Sequence, residues 1–161
     1  MTEGASQRII VGVHQSAASL AALRWAAAEA RLRRAKLNVV HAWELAVRRA
    51  SYAILGDSTV SGQEQRRAQS VLAAVLRGAY GIEAPPGVTA ELAEGTAERV
   101  LVERSQEASL LVLGAADTHL AGRPAGPVIR ACMRSARCPL VIITAAAGAR
   151  PPLVSTPVAV S

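Results

Sequence analysis

The chain has no phenylalanine, and aromatic residues make up only 2% of its 161 positions. Single-stranded nucleic acids are held largely by stacking on aromatic rings, so nucleic acid is not an expected partner. The shortage also leaves the core to Val, Leu, Ile and Ala. Those residues suit helices packed on a parallel sheet that is buried on both faces. Lys36 is the only lysine, so the net charge of +6 rests on arginines. They are spread along the chain, from Arg8 and Arg24 to Arg99 and Arg130, and not massed in one tail. That dispersal fits solvated surface better than a polyanion footprint.

Cysteine is equally scarce. Cys132 and Cys138 are the only two, at a spacing that fits neither a zinc nor a redox motif. Two reduced, mostly buried thiols are expected, as in a cytosolic protein. The first residues are polar and lack a signal peptide's apolar core, and no apolar run is long enough to cross a bilayer. A cytoplasmic location follows as an expectation. No G-K-[ST] occurs, which removes the P-loop, and Gly12-Val13-His14 stands where a dinucleotide fingerprint would begin.

Hydrophobic residues make up 51% of the chain, enough for one domain with a core that needs no staples. Ile9, Ile10, Val11 and Val13 read as a buried first strand. Ser16 follows as an N-cap, and Leu20, Leu23, Ala27 and Ala30 recur at helical spacing. Residues 37–42 give a second strand, and 44–59 read as a surface loop. Ser61 to Glu64 has the S-x-x-E pattern of a capping box, ahead of a helix that Gly78 is expected to close. A third strand is expected from Val88 to Leu92, and a helix from Thr96 to about Glu107. Leu110 to Leu113 make a fourth strand. Gly126-Pro127 opens a fourth helix, Cys138-Pro139 is expected to end it, and Leu140 to Ile143 make a fifth strand. Residues 1–7 and the Ala/Pro-rich 145–161 read as flexible ends around a domain spanning 8–144.

Strictly alternating strands and helices imply right-handed crossovers and an α/β fold with a five-stranded parallel sheet. In such sheets ligands bind beyond the carboxyl ends of the strands, where the strand order switches. That rule points to His14, Gln15 and Ser16 after the first strand, and to Gly114 onward after the fourth.

Three stretches resemble the universal stress protein family: IIVGVHQSAASLAALRWA at 9–26, LNVVHAWE at 37–44, and LLVLG at 110–114 running through the glycine-bearing loop to ARCPLVII at 136–143. The resemblance implies strand order 3-2-1-4-5, as in adenine-nucleotide-binding Rossmann-like folds. It also implies a homodimer, here through the last strand (Leu140, Val141, Ile142, Ile143). One branch of the family binds ATP. Its pattern has an Asp ending the first strand and G-x-x-G, nine residues, then G-[S/T] after the fourth. Glycines let backbone approach phosphate oxygens, and free N–H groups at a helix start donate to them.

This chain departs from that pattern. His14 replaces the Asp, Asp117 the second glycine and Pro127 the Ser/Thr, while Gly114 and Gly126 are kept. Only eight residues, 118–125, separate Asp117 from Gly126. A carboxylate repels phosphate, and proline removes both a hydroxyl and an N–H. The family-aligned cleft comprises Val13, His14, Ser16, Ala42, Leu113 and Gly114 on one side of the loop, and Gly126, Pro127 and Val128 on the other, with Asp117 and Arg123 between them.

Three functions are compatible with these residues. The first is a non-catalytic regulatory protein that does not hold ATP in the family's usual way and needs no cofactor. The second is an adenine-nucleotide-binding protein using altered contacts, with Arg123 or Arg130 supplying charge and Val13, Ala42 and Leu113 framing the base. The third is metal-dependent or acid–base chemistry at His14, Asp117 and His119. His41, inside the second strand, is expected to be a partly buried histidine with a hydrogen-bond partner.

Overall fold

The strands read from the sequence pair in the order β3-β2-β1-β4-β5, all parallel. The computed structural model describes residues 7–44, 58–115 and 125–144. The elements run β1 (Arg8–Gly12), α1 (Ala17–Arg33), β2 (Lys36–Trp43), α2 (Ser58–Tyr80), β3 (Val88–Glu94), α3 (Ala97–Ser105), β4 (Leu110–Ala115), α4 (Pro127–Ser135) and β5 (Leu140–Thr144). The expected loop at 44–59 falls mostly outside the described residues, as does the tail from 145.

Strand period divides the core in two. Ile9, Val11, Val39 and Val112 face one way and meet Ala22, Leu23 and Ala26 of α1 with Leu72 and Val75 of α2. Ile10, Val40, Leu111 and Leu113 face the other way and meet Val100 and Leu101 of α3 with Ile129 and Cys132 of α4. The central strands β1 and β4 are therefore apolar on successive residues, because both of their faces are covered.

Several boundaries differ from the expectation. Helix α2 already runs from Ser58, so the Ser61–Glu64 pattern lies inside it and does not open it. The helix also passes Gly78 and ends at Tyr80, where Gly81 takes a left-handed φ of 77°. Helix α3 stops at Ser105, two residues short of Glu107. Helix α4 stops at Ser135, before Cys138-Pro139, and the Ala136 N–H donates back to the Cys132 carbonyl. Both cysteines are free, and burial pushes the Cys132 thiol up to about 11. Among the described residues no helix is long and apolar enough to cross a membrane.

Candidate functional site

Because the strands are parallel, β1, β2 and β4 all release their chains at one end of the sheet. Helices α1, α3 and α4 begin there. A cleft of about 270 Å³ opens between them. Its apolar walls come from Val13, Val40, Ala42 and Leu113 at the strand ends, with Leu101 and Ile129 from the helices behind. Every described residue of the family-aligned set lines it: Val13, His14, Ser16, Ala42, Leu113 and Gly114 on one side, Gly126, Pro127 and Val128 on the other. Asp117, His119 and Arg123 lie outside the described residues. Arg130 is exposed and is not part of the lining.

The start of α1 is closed on itself. Ser16 caps the helix by accepting from the Ser19 N–H at 3.1 Å, while the Ser19 hydroxyl accepts from the His14 N–H at 2.9 Å. The Ser16 N–H in turn donates to the His14 carbonyl at 2.9 Å. The donors most often offered to an anion at a helix start are thus partly consumed here.

The start of α4 is built differently. Gly126 takes the N-cap position and provides no side-chain cap, and Pro127 follows at the first helical position. The first bond into the helix runs from the Arg130 N–H to the Gly126 carbonyl, at 3.0 Å. Proline contributes no N–H, so the donor row begins only at Val128.

Gly114 has a packing duty as well as its place in the cleft. A Cβ there would come within 2.8 Å of the Ser19 nitrogen and overlap the Ala18 carbonyl. Its lack of a side chain lets α1 lie directly on β4.

Among the described residues two imidazoles reach the cleft, His14 and His41. The His41 Nδ1 is 2.8 Å from the Val13 carbonyl. Only a protonated nitrogen makes that bond, so the neutral ring carries its proton on Nδ1 and leaves Nε2 as an acceptor. His14 is solvent-exposed overall, yet the surrounding protein desolvates its ring. That desolvation, followed by the charge of His41, lowers its pKa below the ordinary 6.5. Among the described residues no three His, Cys, Asp or Glu side chains gather as a metal site. Sequence reasoning placed His41 as a strand histidine with a partner but did not include it in the cleft. It also missed Ala97, Leu101 and Ile129, which face the cleft because α3 and α4 start at the same end of the sheet.

Residues 5–144 match the universal stress protein family. The chain belongs to that family. It is 34% identical over 138 residues to universal stress protein Rv2623 of Mycobacterium tuberculosis, a match covering 84% of this chain and 46% of that protein. The chain therefore spans about half the length of the curated relatives it matches. Among solved structures, the universal stress protein UspA of Lactobacillus plantarum shares the fold with a TM-score of 0.64 and 21% identity, over 85% of this chain and 97% of that one. The universal stress protein of Archaeoglobus fulgidus in complex with dAMP has a TM-score of 0.62 and 22% identity, over 86% and 98%. The order 3-2-1-4-5 expected of a universal stress protein is the order this chain adopts.

Proposed function

We propose that this universal stress protein is a non-catalytic, cytoplasmic regulatory protein of the stress response. Its cleft takes the adenosine end of an adenine nucleotide and gives a triphosphate no more hold than a monophosphate. The observation that carries this reading is the contrast between the two ends of the cleft. At the apolar end Val13, Ala42 and Leu113 form a wall of the cleft of about 270 Å³ that suits a base. The phosphate end fits ATP poorly. Pro127 supplies neither hydroxyl nor N–H, so the donor row of α4 starts one residue late, and at the start of α1 the Ser19 N–H is already taken by Ser16. The complex of the Archaeoglobus fulgidus relative with dAMP supports a monophosphate as the form to try first.

Calorimetric titration with AMP, and with ATP plus magnesium, tests the reading. The expected result is saturable AMP binding with ATP no more than about threefold tighter. ATP binding tenfold or more tighter than AMP would overturn it, since that factor is about 1.4 kcal/mol contributed by the extra phosphates.

We further propose a homodimer in which β5 pairs with a second copy. Among the described residues strand β5 is an edge of the sheet, bonded only to β4, and Ile142 on it is 39% exposed. An apolar edge of this kind is a template for pairing unless it is covered. Light scattering on the intact chain should give twice the chain mass, and Ile142→Lys should shift it toward the monomer. A monomeric parent protein would refute the pairing.

A further inference from the structure

At the opposite end of the sheet from the cleft lies a second cavity, of about 530 Å³. Its floor is apolar: Leu37 and Ala30 are buried, and Ala27, Ala79 and Val88 form the sides. The turn at Pro85-Pro86-Gly87 closes one wall and is tied down at both ends. The Val88 N–H donates to the Pro85 carbonyl at 3.2 Å, and the Leu37 N–H donates to the Gly87 carbonyl at 2.9 Å. Gly87 has a φ of 89°, a left-handed conformation that favours glycine.

Among the described residues the charged groups in this groove are of one sign: Arg24 and Arg31 line it, and no Asp or Glu does. They lie two turns apart on one face of α1, about 10 Å along the axis. Arg24 spends one donor on the Gly78 carbonyl, at 3.2 Å. The Arg31 side chain makes no hydrogen bond or ion pair among the described residues. The nearest carboxylate on the helix, Glu29, is taken by Arg33.

Tyr80 is the remaining lining residue with chemistry to offer. Its hydroxyl is shut off from solvent and has no hydrogen-bond partner, alone among the side-chain polar groups of the described residues. Buried hydroxyls are nearly always hydrogen-bonded, to protein, ordered water or ligand, so one with no protein partner is open to an acceptor on a ligand. With no bond to lose, a small turn of the ring toward an acceptor in the groove gains a hydrogen bond without breaking one.

We propose that this groove is a second ligand site, separate from the cleft, for an amphipathic acid. The ligand is a carboxylate carried on an apolar body. The body lies on Leu37, Ala79 and Val88, Arg24 and Arg31 hold the carboxylate, and the Tyr80 hydroxyl donates to it. Guanidinium forks match carboxylate oxygens, and the apolar floor rejects small hydrophilic anions.

The test is amide NMR on the intact chain, titrated with decanoate below its micelle concentration, with decanol and with acetate. Decanoate should bind saturably and shift the amides of Ala27, Tyr80 and Val88, leaving those of Val13 and Leu113 in place. Decanol and acetate should each bind at least tenfold more weakly. Arg31→Gln, an exposed change that leaves the core untouched, should weaken decanoate binding at least fivefold. Tyr80→Phe should weaken it about threefold without lowering the melting temperature. Decanol binding as well as decanoate, shifts confined to the cleft, or unchanged affinity in both variants would each overturn the proposal.

Discussion

The Gly114 α-carbon lies against the backbone of Ala18, so close that a side chain at 114 would overlap the Ala18 carbonyl. The contact seats the first turn of α1 on the end of β4 and thereby fixes the cleft wall. Gly114→Ala must push helix and strand apart, because the atoms in the way are backbone. A loss of about 1–3 kcal/mol is expected, read as a lower denaturant midpoint with unchanged slope. Gly78→Ala is the control. Gly78 lies within α2, and a Cβ there meets the Leu20 side chain, Cδ1 at 3.4 Å and Cδ2 at 3.7 Å. That change should leave stability unaltered or raise it by up to about 1 kcal/mol.

Ser105 is fully buried at the end of α3 and joins two elements. Its hydroxyl donates to the Val102 carbonyl at 2.6 Å and accepts from the Arg137 N–H at 3.0 Å. Arg137 sits in the turn that leads into β5. Ser105→Ala removes both bonds and should cost about 0.5–1.5 kcal/mol. Hydrogen exchange at Arg137 should accelerate in the same variant. An exchange rate equal to that of the parent protein would show that the bond does not hold the turn.

The strands were legible because β1 and β4 are covered on both faces, so Ile9 to Val11 and Leu110 to Leu113 are continuous apolar runs. Helix ends were read less well. Gly78 looked like a terminator, but α2 continues past it beside Leu20, and the reversal falls to Gly81. Pro139 likewise did not set the end of α4. The chain already leaves helical geometry at Ala136, which has a ψ of 141°. In the cleft, Val13, Ala42, Leu113 and Gly126, positions to which the family pattern points, line the cavity. The closeness of Gly114 to Ala18 depends on how two distant elements pack, and no local pattern encodes it. The same holds for His41, whose bond to Val13 follows from the alignment of β1 beside β2.

His14 should titrate below 6.5, because desolvation and then His41 disfavour its charged form. In the window between that lowered pKa and 6.5 the unfolded chain binds more protons than the folded one. Stability therefore rises with pH across this window and is lost as pH falls through it. The His14 ring proton, followed by NMR, should show a midpoint under 6.5. His41→Asn removes a like charge and should raise that midpoint, although desolvation remains. A midpoint at or above 6.5 in the parent protein would contradict the assignment, and one unmoved by His41→Asn would remove His41 as a cause.

Pro127 is the residue through which the phosphate end of the cleft is most simply restored. It stands at the first helical position of α4 and is exposed, so replacing it disturbs no core. Pro127→Ser adds an N–H and a hydroxyl where the helix start faces the cleft. A hydrogen bond to a charged group contributes about 1.5–3 kcal/mol, so one new bond to phosphate should tighten binding about tenfold or more. The gain should appear for both AMP and ATP in the same calorimetric titration, and it should be absent for adenosine, which has no phosphate. Loss of the proline's fixed φ should cost somewhat less than 1 kcal/mol of stability, too little to unfold the domain. Equal affinities for AMP in the two proteins would place the obstacle to phosphate elsewhere, with Asp117→Gly as the next substitution to make.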